Sequence, residues 1–158
     1  MRNKSELITW NATFTCGIKL IDDQHKILVG LVNDMFHHVT GDYEQEDIYF
    51  NKIIKEVVAY IKIHFATEEK IMLFTRFTGY VEHKKEHDNF VLTVIKNIHS
   101  YRTKERFTLL SFSKFLKDWV LSHIAVMDKQ YFSHLKRIAS RKANGKISIT
   151  LQDIRLSA

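Results

Sequence analysis

Residues 81–90 read VEHKKEHDNF, and residues 64–72 read HFATEEKIM. The first stretch places His83 and His87 four residues apart, and the second places His64 four residues before Glu68. A spacing of four puts two side chains on one face of a helix, one turn apart. Each stretch therefore predicts a helix that presents two metal-ligating groups on the same side.

The composition of the chain indicates a single helical domain. The chain has 158 residues, of which 45% are hydrophobic and 27% charged, with five glycines and no proline. A β-rich fold of this size would need more turn-forming residues than that. The length suits one domain with a sizeable core. We therefore expect an all-α protein.

Four amphipathic segments account for most of the chain. They run from about Ile21 to Val39, Glu46 to Phe74, Tyr80 to Tyr101, and Phe107 to Ile138. Helices joined by such short loops predict an up-down-up-down antiparallel four-helix bundle. Before the first helix we expect an extended N-terminal arm that packs Trp10 and Phe14 onto the bundle.

The last residues of the chain differ from the rest. The stretch NGKISITLQDI alternates apolar and polar residues from Ile147 on, which is a weak strand signal. A lone strand is not stable by itself. We therefore assign residues 1–140 to the bundle and residues 141–158 to a short C-terminal tail, which is either flexible or paired with a protein partner.

Charge and cysteine content exclude several classes of protein. The net charge of +6 is spread along the chain and comes with no nucleic-acid-binding motif, so we expect no nucleic-acid partner. No apolar run is long enough to cross a membrane, and the start MRNKSELITW lacks the apolar segment of a signal peptide. Cys16 is the only cysteine, so no intrachain disulfide forms. These features predict a cytoplasmic protein. Its oligomeric state does not follow from the sequence, and we expect a monomer or a weak homo-oligomer.

Polar residues within the apolar stripes of the four segments are expected to meet at one height in the bundle. His25 and His64 lie about 15 and 18 residues from the first loop, and at a rise of ~1.5 Å per residue they return to nearly the same level. The same argument applies to His87 and His123 around the third loop. The convergent set is His25, His64, Glu68, His83, His87 and His123.

A buried set of this kind points to two metal ions. Each imidazole or carboxylate buried without a partner costs several kcal/mol, which a metal offsets. Six groups exceed the ligands of one tetrahedral zinc, so we expect two ions bridged by carboxylates. Asp128, five residues after His123 in HIAVMD, is the candidate for a second carboxylate. Because five residues turn an ideal helix by about 140°, we predict a π-helical distortion between these two residues.

At this level of detail the sequence resembles the hemerythrin family, and the bacterial hemerythrins in particular. The resemblance rests on TWNATF and IDDQHK around the first histidine, on HFATEEKIM and HKKEH, and on WVLSHI and HIAVMD. It extends from residue 8 to about residue 135. All seven ligand positions of the family pattern are filled, in order, with loops of suitable length.

The resemblance implies a non-haem di-iron centre that binds O₂ reversibly, for transport, storage, delivery or sensing, in a protein that is not an enzyme. Carried over position by position, it gives one iron to His83, His87 and His123, the other iron to His25 and His64, and the bridging role to Glu68 and Asp128. A solvent-derived oxo or hydroxo group completes the bridge. The second iron then keeps one open position for O₂.

Residues beside these ligands in the sequence are expected to complete the centre. The walls of a dry O₂ pocket are assigned to Leu28, Trp119, Val120 and Ile124. Gln24 and Tyr131 are candidates to hold the ligands in place. The remaining histidines fall outside the pattern and are expected at the surface or rim: His37, His38, His99 and His134.

Three other functions remain open at this point. A di-iron oxidase or peroxidase could use the same site, although bundle oxidases are rich in Glu-x-x-His motifs, whereas this chain has His-x-x-x-Glu and His-x-x-x-His. A sensor, or a protein that handles iron or nitric oxide, is the second alternative, and a metal-free structural bundle is the third. Five histidines to two carboxylates favour reversible O₂ binding over oxidation of a substrate.

Overall fold

The computed structural model of the chain describes residues 5–103 and 107–141. Within these ranges the chain forms five α-helices and no strand. They are α1 (Lys19–His37), α2 (Tyr43–Phe74), α3 (Tyr80–Arg102), α4 (Leu109–Ser122) and α5 (Lys129–Arg141). A π-helical segment, His123–Asp128, joins α4 to α5 with helical backbone on both sides. The predicted all-α four-helix bundle is therefore confirmed, with its fourth helix built from α4, the π segment and α5.

The loops and helix ends follow from local residue types. Gly41 has a φ of 84°, a left-handed conformation that glycine adopts without strain, and it turns the chain between α1 and α2. Asp42 then caps α2, because its carboxylate accepts hydrogen bonds from the backbone N–H groups of Glu44 at 3.0 Å and Gln45 at 3.3 Å. Thr108 caps α4 by accepting from the N–H of Ser111 at 3.1 Å. These caps satisfy backbone donors that have no partner inside the helix.

Replacing Asp42 by alanine is expected to lower the free energy of unfolding by about 1 kcal/mol, because two N–H groups of α2 lose their acceptor. Urea denaturation followed by circular dichroism measures the change. Asp42→Asn is the control, since an asparagine side chain caps a helix about as well as aspartate. An equal loss in both variants would contradict the capping role.

The core is divided into two apolar clusters with polar groups between them. The larger cluster contains Phe50, which stacks on Tyr101 at 3.7 Å and meets Phe112 edge to face at 5.4 Å between ring centroids. The smaller cluster contains Ile21 and Tyr131, both 0% exposed. On every helix that contributes to both clusters, polar residues fall between the two. The bundle therefore encloses a polar layer between two apolar ones.

The N-terminal arm is held against the bundle by hydrogen bonds and apolar contacts. The backbone of Ile8 donates to the side chain of Asn33 at 2.8 Å and accepts from it at 2.9 Å. Trp10 and Phe14 pack against the larger cluster, which confirms the predicted packing of the arm. Asp22 accepts from the backbone N–H of Cys16 at 2.7 Å. The arm thus closes the bundle beside the first turns of α1.

Two expectations fall largely beyond the described residues. The predicted tail at residues 141–158, including its strand signal, lies outside them apart from Arg141, the last residue of α5. The division of the chain at residue 140 therefore stays a prediction.

Among the described helices, none combines the length and the apolar character that a membrane crossing requires.

Candidate metal centre

The structure brings together all seven side chains singled out in the sequence. Each is at most 2% exposed. They form two groups whose potential ligand atoms lie within 4.8 Å of one another. The first group is Glu68, His83, His87 and His123, and the second is His25, His64, Glu68 and Asp128. Because Glu68 belongs to both groups, the two candidate cation sites adjoin each other.

Three imidazoles from α3 and the π segment point their Nε2 atoms at one another. The Nε2 atom of His87 lies 3.1 Å from that of His83 and 3.1 Å from that of His123. A neutral imidazole has one donor and one acceptor nitrogen, so three facing Nε2 atoms cannot satisfy one another. Phe65 stacks on His87 at 3.7 Å, and Trp119 stacks on His123 at 4.2 Å, which fixes the ring planes. The arrangement suits three lone pairs directed at one cation.

The two carboxylates lie between the two sets of histidines. Asp128 directs Oδ2 toward His25 Nε2 at 3.3 Å and Oδ1 toward His123 Nε2 at 3.1 Å. Glu68 directs Oε1 toward His25 Nε2 at 3.6 Å and Oε2 toward His87 Nε2 at 3.3 Å. Asp128 therefore offers one oxygen to each set. Glu68 also faces both sets, since its Oε2 lies 3.6 Å from His64 Nε2 as well, and both carboxylates are placed to lie between two cations.

The backbone between His123 and Asp128 explains how both side chains face inward. Residues His123–Asp128 form a π-helix, so the predicted distortion is confirmed. A regular α-helix would turn the second side chain away by about 140°, whereas the wider i+5 winding of the π-helix brings it back to the same face. The irregular turn thus places Asp128 among the histidines.

Several buried polar atoms of the cluster lack a hydrogen-bond partner among the described residues. They include both ring nitrogens of His25, Nδ1 of His83, Oε2 of Glu68 and both carboxylate oxygens of Asp128. A buried polar group without a partner costs roughly 1–3 kcal/mol, and an isolated charge costs more. Bound cations would satisfy the inward-facing atoms together. Imidazole nitrogens with carboxylate oxygens form a donor set suited to transition metals, iron included. The residues present therefore fit a metal centre.

Burial and charge together set the protonation of the cluster. Burial lowers the pKa of His64 to about 4, so this imidazole is neutral and has a lone pair for a cation. Burial also lowers the pKa of His25 and His123, but the nearby carboxylates of Asp128 and Glu68 outweigh it and raise the values to about 9 and about 10. Burial raises the pKa of Glu68 and of Asp128, but the surrounding histidines outweigh it and hold both below the usual range. Two ionised carboxylates thus lie in the polar layer, where they attract cations.

Gln24 and Tyr131 both contact the cluster. Gln24 Oε1 lies 3.1 Å from His64 Nδ1, and the Gln24 amide donates to the hydroxyl of Thr67 at 3.1 Å. The fully buried hydroxyl of Tyr131 donates to Glu68 Oε1 at 3.2 Å. These contacts fix the orientation of one imidazole and one carboxylate, which is the support that metal ligands require.

One contact of the cluster was not predicted from the sequence. Glu69 Oε1 lies 3.0 Å from His87 Nδ1, so the ring N–H of His87 donates to this carboxylate. The helix geometry of HFATEEKIM could have indicated this contact. Residue 69 is turned about 100° from residue 68, which directs it toward the neighbouring helix α3. Glu69, on α2, thus orients His87, which lies on α3.

Replacing Glu69 by alanine is expected to weaken metal binding at the His83, His87 and His123 group by about 10–100-fold, because His87 loses the acceptor that fixes its ring. Chelator competition with Zn²⁺ or Fe²⁺ measures the affinity. Glu69→Gln keeps an acceptor oxygen and should lose less. Glu86→Ala, at an exposed position of α3, is the matched control. Unchanged affinity in Glu69→Ala would remove this role.

Of the residues assigned to the pocket, Trp119 contacts the cluster directly, by stacking on His123. Leu28, Val120 and Ile124 are buried, and Trp119 is partly exposed. Leu28, Val120 and Trp119 line one apolar cavity of about 10 Å³, whereas Ile124 does not line it.

The four other histidines belong to neither cation group: His37, His38 and His99 are exposed, and His134 is half-buried against the carbonyl of Thr75 at 2.9 Å.

Fold and site together define a class of protein: an all-α bundle with a buried cluster of histidines and carboxylates that is able to hold cations. Residues 16–135 match the family model described as the hemerythrin HHE cation binding domain. The chain therefore belongs to the hemerythrin family, which confirms the resemblance drawn from its motifs.

Relatives in sequence and in structure agree with this assignment. The chain is 29% identical over 126 residues to a bacteriohemerythrin of Methylococcus capsulatus, covering 79% of this chain and 94% of the relative. It is 27% identical over 133 residues to a bacteriohemerythrin of Clostridium acetobutylicum, covering 79% and 98%. The crystal structure of a wild-type hemerythrin superposes with a TM-score of 0.70 at 28% identity, covering 82% of this chain and 98% of that one.

Proposed function

We propose that the protein binds O₂ reversibly at a non-haem di-iron centre, as a carrier, store, delivery protein or sensor. The observation that carries the proposal is the pair of adjoining cation groups that share Glu68, with Asp128 facing both. One iron would be held by His83, His87 and His123, the other by His25 and His64, and both by Glu68 and Asp128. When bound, the two ferrous ions supply the electrons that O₂ binding requires and recover them on release.

The ligand count separates the two positions. Three imidazoles face the first position and two face the second, Glu68 belongs to both groups, and Asp128 faces both sets of histidines. We therefore place the open position for O₂ at His25 and His64. The low pKa of His64, about 4, keeps that ligand neutral. His25 and His123, whose pKa values are raised to about 9 and about 10, would each release a proton when a cation binds.

The residues proposed as pocket walls are apolar. Leu28 follows His25 by one helical turn, and the apolar side chains of Val120 and Ile124 lie beside His123 in the sequence; all three are at most 5% exposed. With Trp119 they are the proposed walls of the O₂ pocket. A wall without polar groups excludes water, which otherwise promotes loss of the bound gas in a reduced form.

A carrier is not an enzyme, and we infer that no substrate other than O₂ reacts here. A di-iron oxidase or peroxidase, and a protein that handles iron or nitric oxide, are the alternatives that would use the same ligands. The donor set argues against an oxidase, because five imidazoles and two carboxylates stabilise ferrous ions better than they stabilise strongly oxidised iron.

One experiment separates these functions. The full chain is reconstituted with Fe²⁺ under anaerobic conditions, iron is counted, and the visible spectrum is recorded through repeated cycles of O₂ addition and removal. We expect two irons per chain, one for each group, and a colour that appears and disappears with O₂. A colour that appears once and decays as an added reductant is consumed would instead indicate an oxidase or peroxidase.

Other properties are proposed on narrower grounds. The bundle is assigned to residues 1–140, and the tail at 141–158 is the proposed contact for a protein partner. Cys16 is buried and unpaired, in keeping with the expected reducing environment of the cytoplasm. The chain is expected to be a monomer or a weak homo-oligomer.

A further inference from the structure

Two adjoining cavities open to solvent between α2 and α3. The first, of about 220 Å³, is lined by Val58, Ile61, Lys62, Val91, Val94 and Ile95. The second, of about 450 Å³, is wider open and shares Val58 and Lys62 with the first. The two cavities therefore form one continuous groove. None of the proposed metal ligands lines it.

The two halves of the groove differ in chemistry. Apart from Lys62, the first cavity is lined by aliphatic side chains alone. Ile95, one of the lining residues, is 58% exposed, so part of this apolar surface is open to water. The second cavity adds Lys55 and Arg102 to Lys62. The groove thus has an apolar end, the first cavity, and an end with three cationic side chains, the second cavity.

These three cations have no counterion in the part of the chain that the structure describes. Some other surface lysines do have one: Lys19, Lys84 and Lys117 are each paired with an aspartate. No acidic residue belongs to the described lining of either cavity. Since unpaired cations beside an apolar cavity raise the local concentration of anions, the groove is complementary to a ligand with an apolar body and a negative head.

We propose that the groove binds a single-chain amphipathic carboxylate, a fatty acid anion of medium length. The aliphatic chain occupies the first cavity, and the carboxylate lies in the second, against Lys62, Lys55 and Arg102. From Val91 to Arg102 the groove follows α3 for a length of ~16 Å at 1.5 Å per residue, which matches a chain of this kind. A second copy of this protein is a poor occupant, because the groove is cationic in both copies.

Binding of decanoate to the full chain, measured by isothermal titration calorimetry below the concentration at which decanoate forms micelles, tests the proposal. We expect one saturable site per chain. Octanoate should bind about 15-fold more weakly, because each buried methylene changes the dissociation constant about fourfold. Decanol and decyltrimethylammonium should bind at least about tenfold more weakly, since they cannot pair with the three cations.

Variants locate the site. Lys62→Glu and Arg102→Glu should each weaken decanoate binding at least about tenfold, because each replaces an attraction by a repulsion. Lys96→Glu is the matched control, since Lys96 is an exposed cation of α3 that lines neither cavity. Ile95→Ser, at an exposed position, removes part of the apolar lining and should weaken binding too. Circular dichroism verifies that all four variants keep the helical content of the parent.

Four outcomes would overturn the proposal. The first is the absence of saturable decanoate binding. The second is equal affinity for decanoate, decanol and decyltrimethylammonium, and the third is an equal loss of decanoate affinity in Lys96→Glu and Lys62→Glu. The fourth is binding to phosphatidylglycerol vesicles that depends on Lys62 while decanoate does not bind, which would make the groove a membrane contact instead. Saturable binding with the expected order of chain lengths, head groups and variants supports it.

Discussion

Replacing Glu68 by alanine is expected to reduce the iron content of the reconstituted protein from two per chain to one or fewer, because this carboxylate belongs to both cation groups. Loss of a residue that merely supports a ligand already costs about 10–100-fold in affinity. Removal of a ligand shared by two ions should therefore exceed about 100-fold at each. Iron analysis after anaerobic reconstitution and gel filtration measures the content.

The control for this variant also replaces a helical glutamate by alanine, so it removes the same charge but leaves the cluster intact. Glu82→Ala serves, because Glu82 is an exposed residue in the first turn of α3 and belongs to neither cation group. Its iron content should equal that of the parent. If the Glu68 variant also binds two irons per chain, the bridging role assigned to this residue is wrong.

Loading with Fe²⁺ is expected to stabilise the fold strongly. The cations would satisfy polar atoms of His25 and Asp128 that have no hydrogen-bond partner among the described residues. A ligand at about a thousandfold excess over its dissociation constant adds about 4 kcal/mol to the free energy of unfolding, which for a chain of this size raises the melting temperature by about 8–16 °C. Differential scanning calorimetry under anaerobic conditions, with and without a chelator, measures the shift.

The Asp128→Ala variant tests whether this stabilisation comes from the proposed centre. It removes the carboxylate that faces both sets of histidines, and its melting temperature should respond to Fe²⁺ much less than that of the parent. A parent protein whose melting temperature ignores Fe²⁺ would contradict a metal centre at this position. An equal rise in parent and variant would place the iron elsewhere on the chain.

Much of the fold and the site follows from the sequence, because both rest on periodicity. Apolar spacing predicts each helix, and distances from the loops predict that His25, His64, His87 and His123 lie at one height. The π segment is predictable for a different reason. Asp128 can face inward together with His123 only if the helix departs from regular geometry, and a π-helical turn is the common way to achieve this.

Other features depend on the packing between helices, which periodicity does not describe. The contact of Glu69 with His87 crosses from α2 to α3 and depends on how these helices are rotated against each other. The groove lined by Lys62 and Arg102 arises from the gap between the same two helices. Ile124 is buried as expected but does not line the cavity beside Trp119. It lies within the π segment, where the spacing of a regular helix does not apply.

The π segment has a consequence for the variation that this chain tolerates. The five steps from His123 to Asp128 make about one turn in this segment, and a regular α-helix makes about one turn in four. Deleting one residue between them would therefore place the aspartate at i+4, on nearly the same face as the histidine. Tyr131, Phe132 and Leu135, at most 5% exposed, would keep roughly their inward direction. The segment thus acts as a one-residue insertion that the helix absorbs locally, without disturbing the hydrophobic packing that follows it.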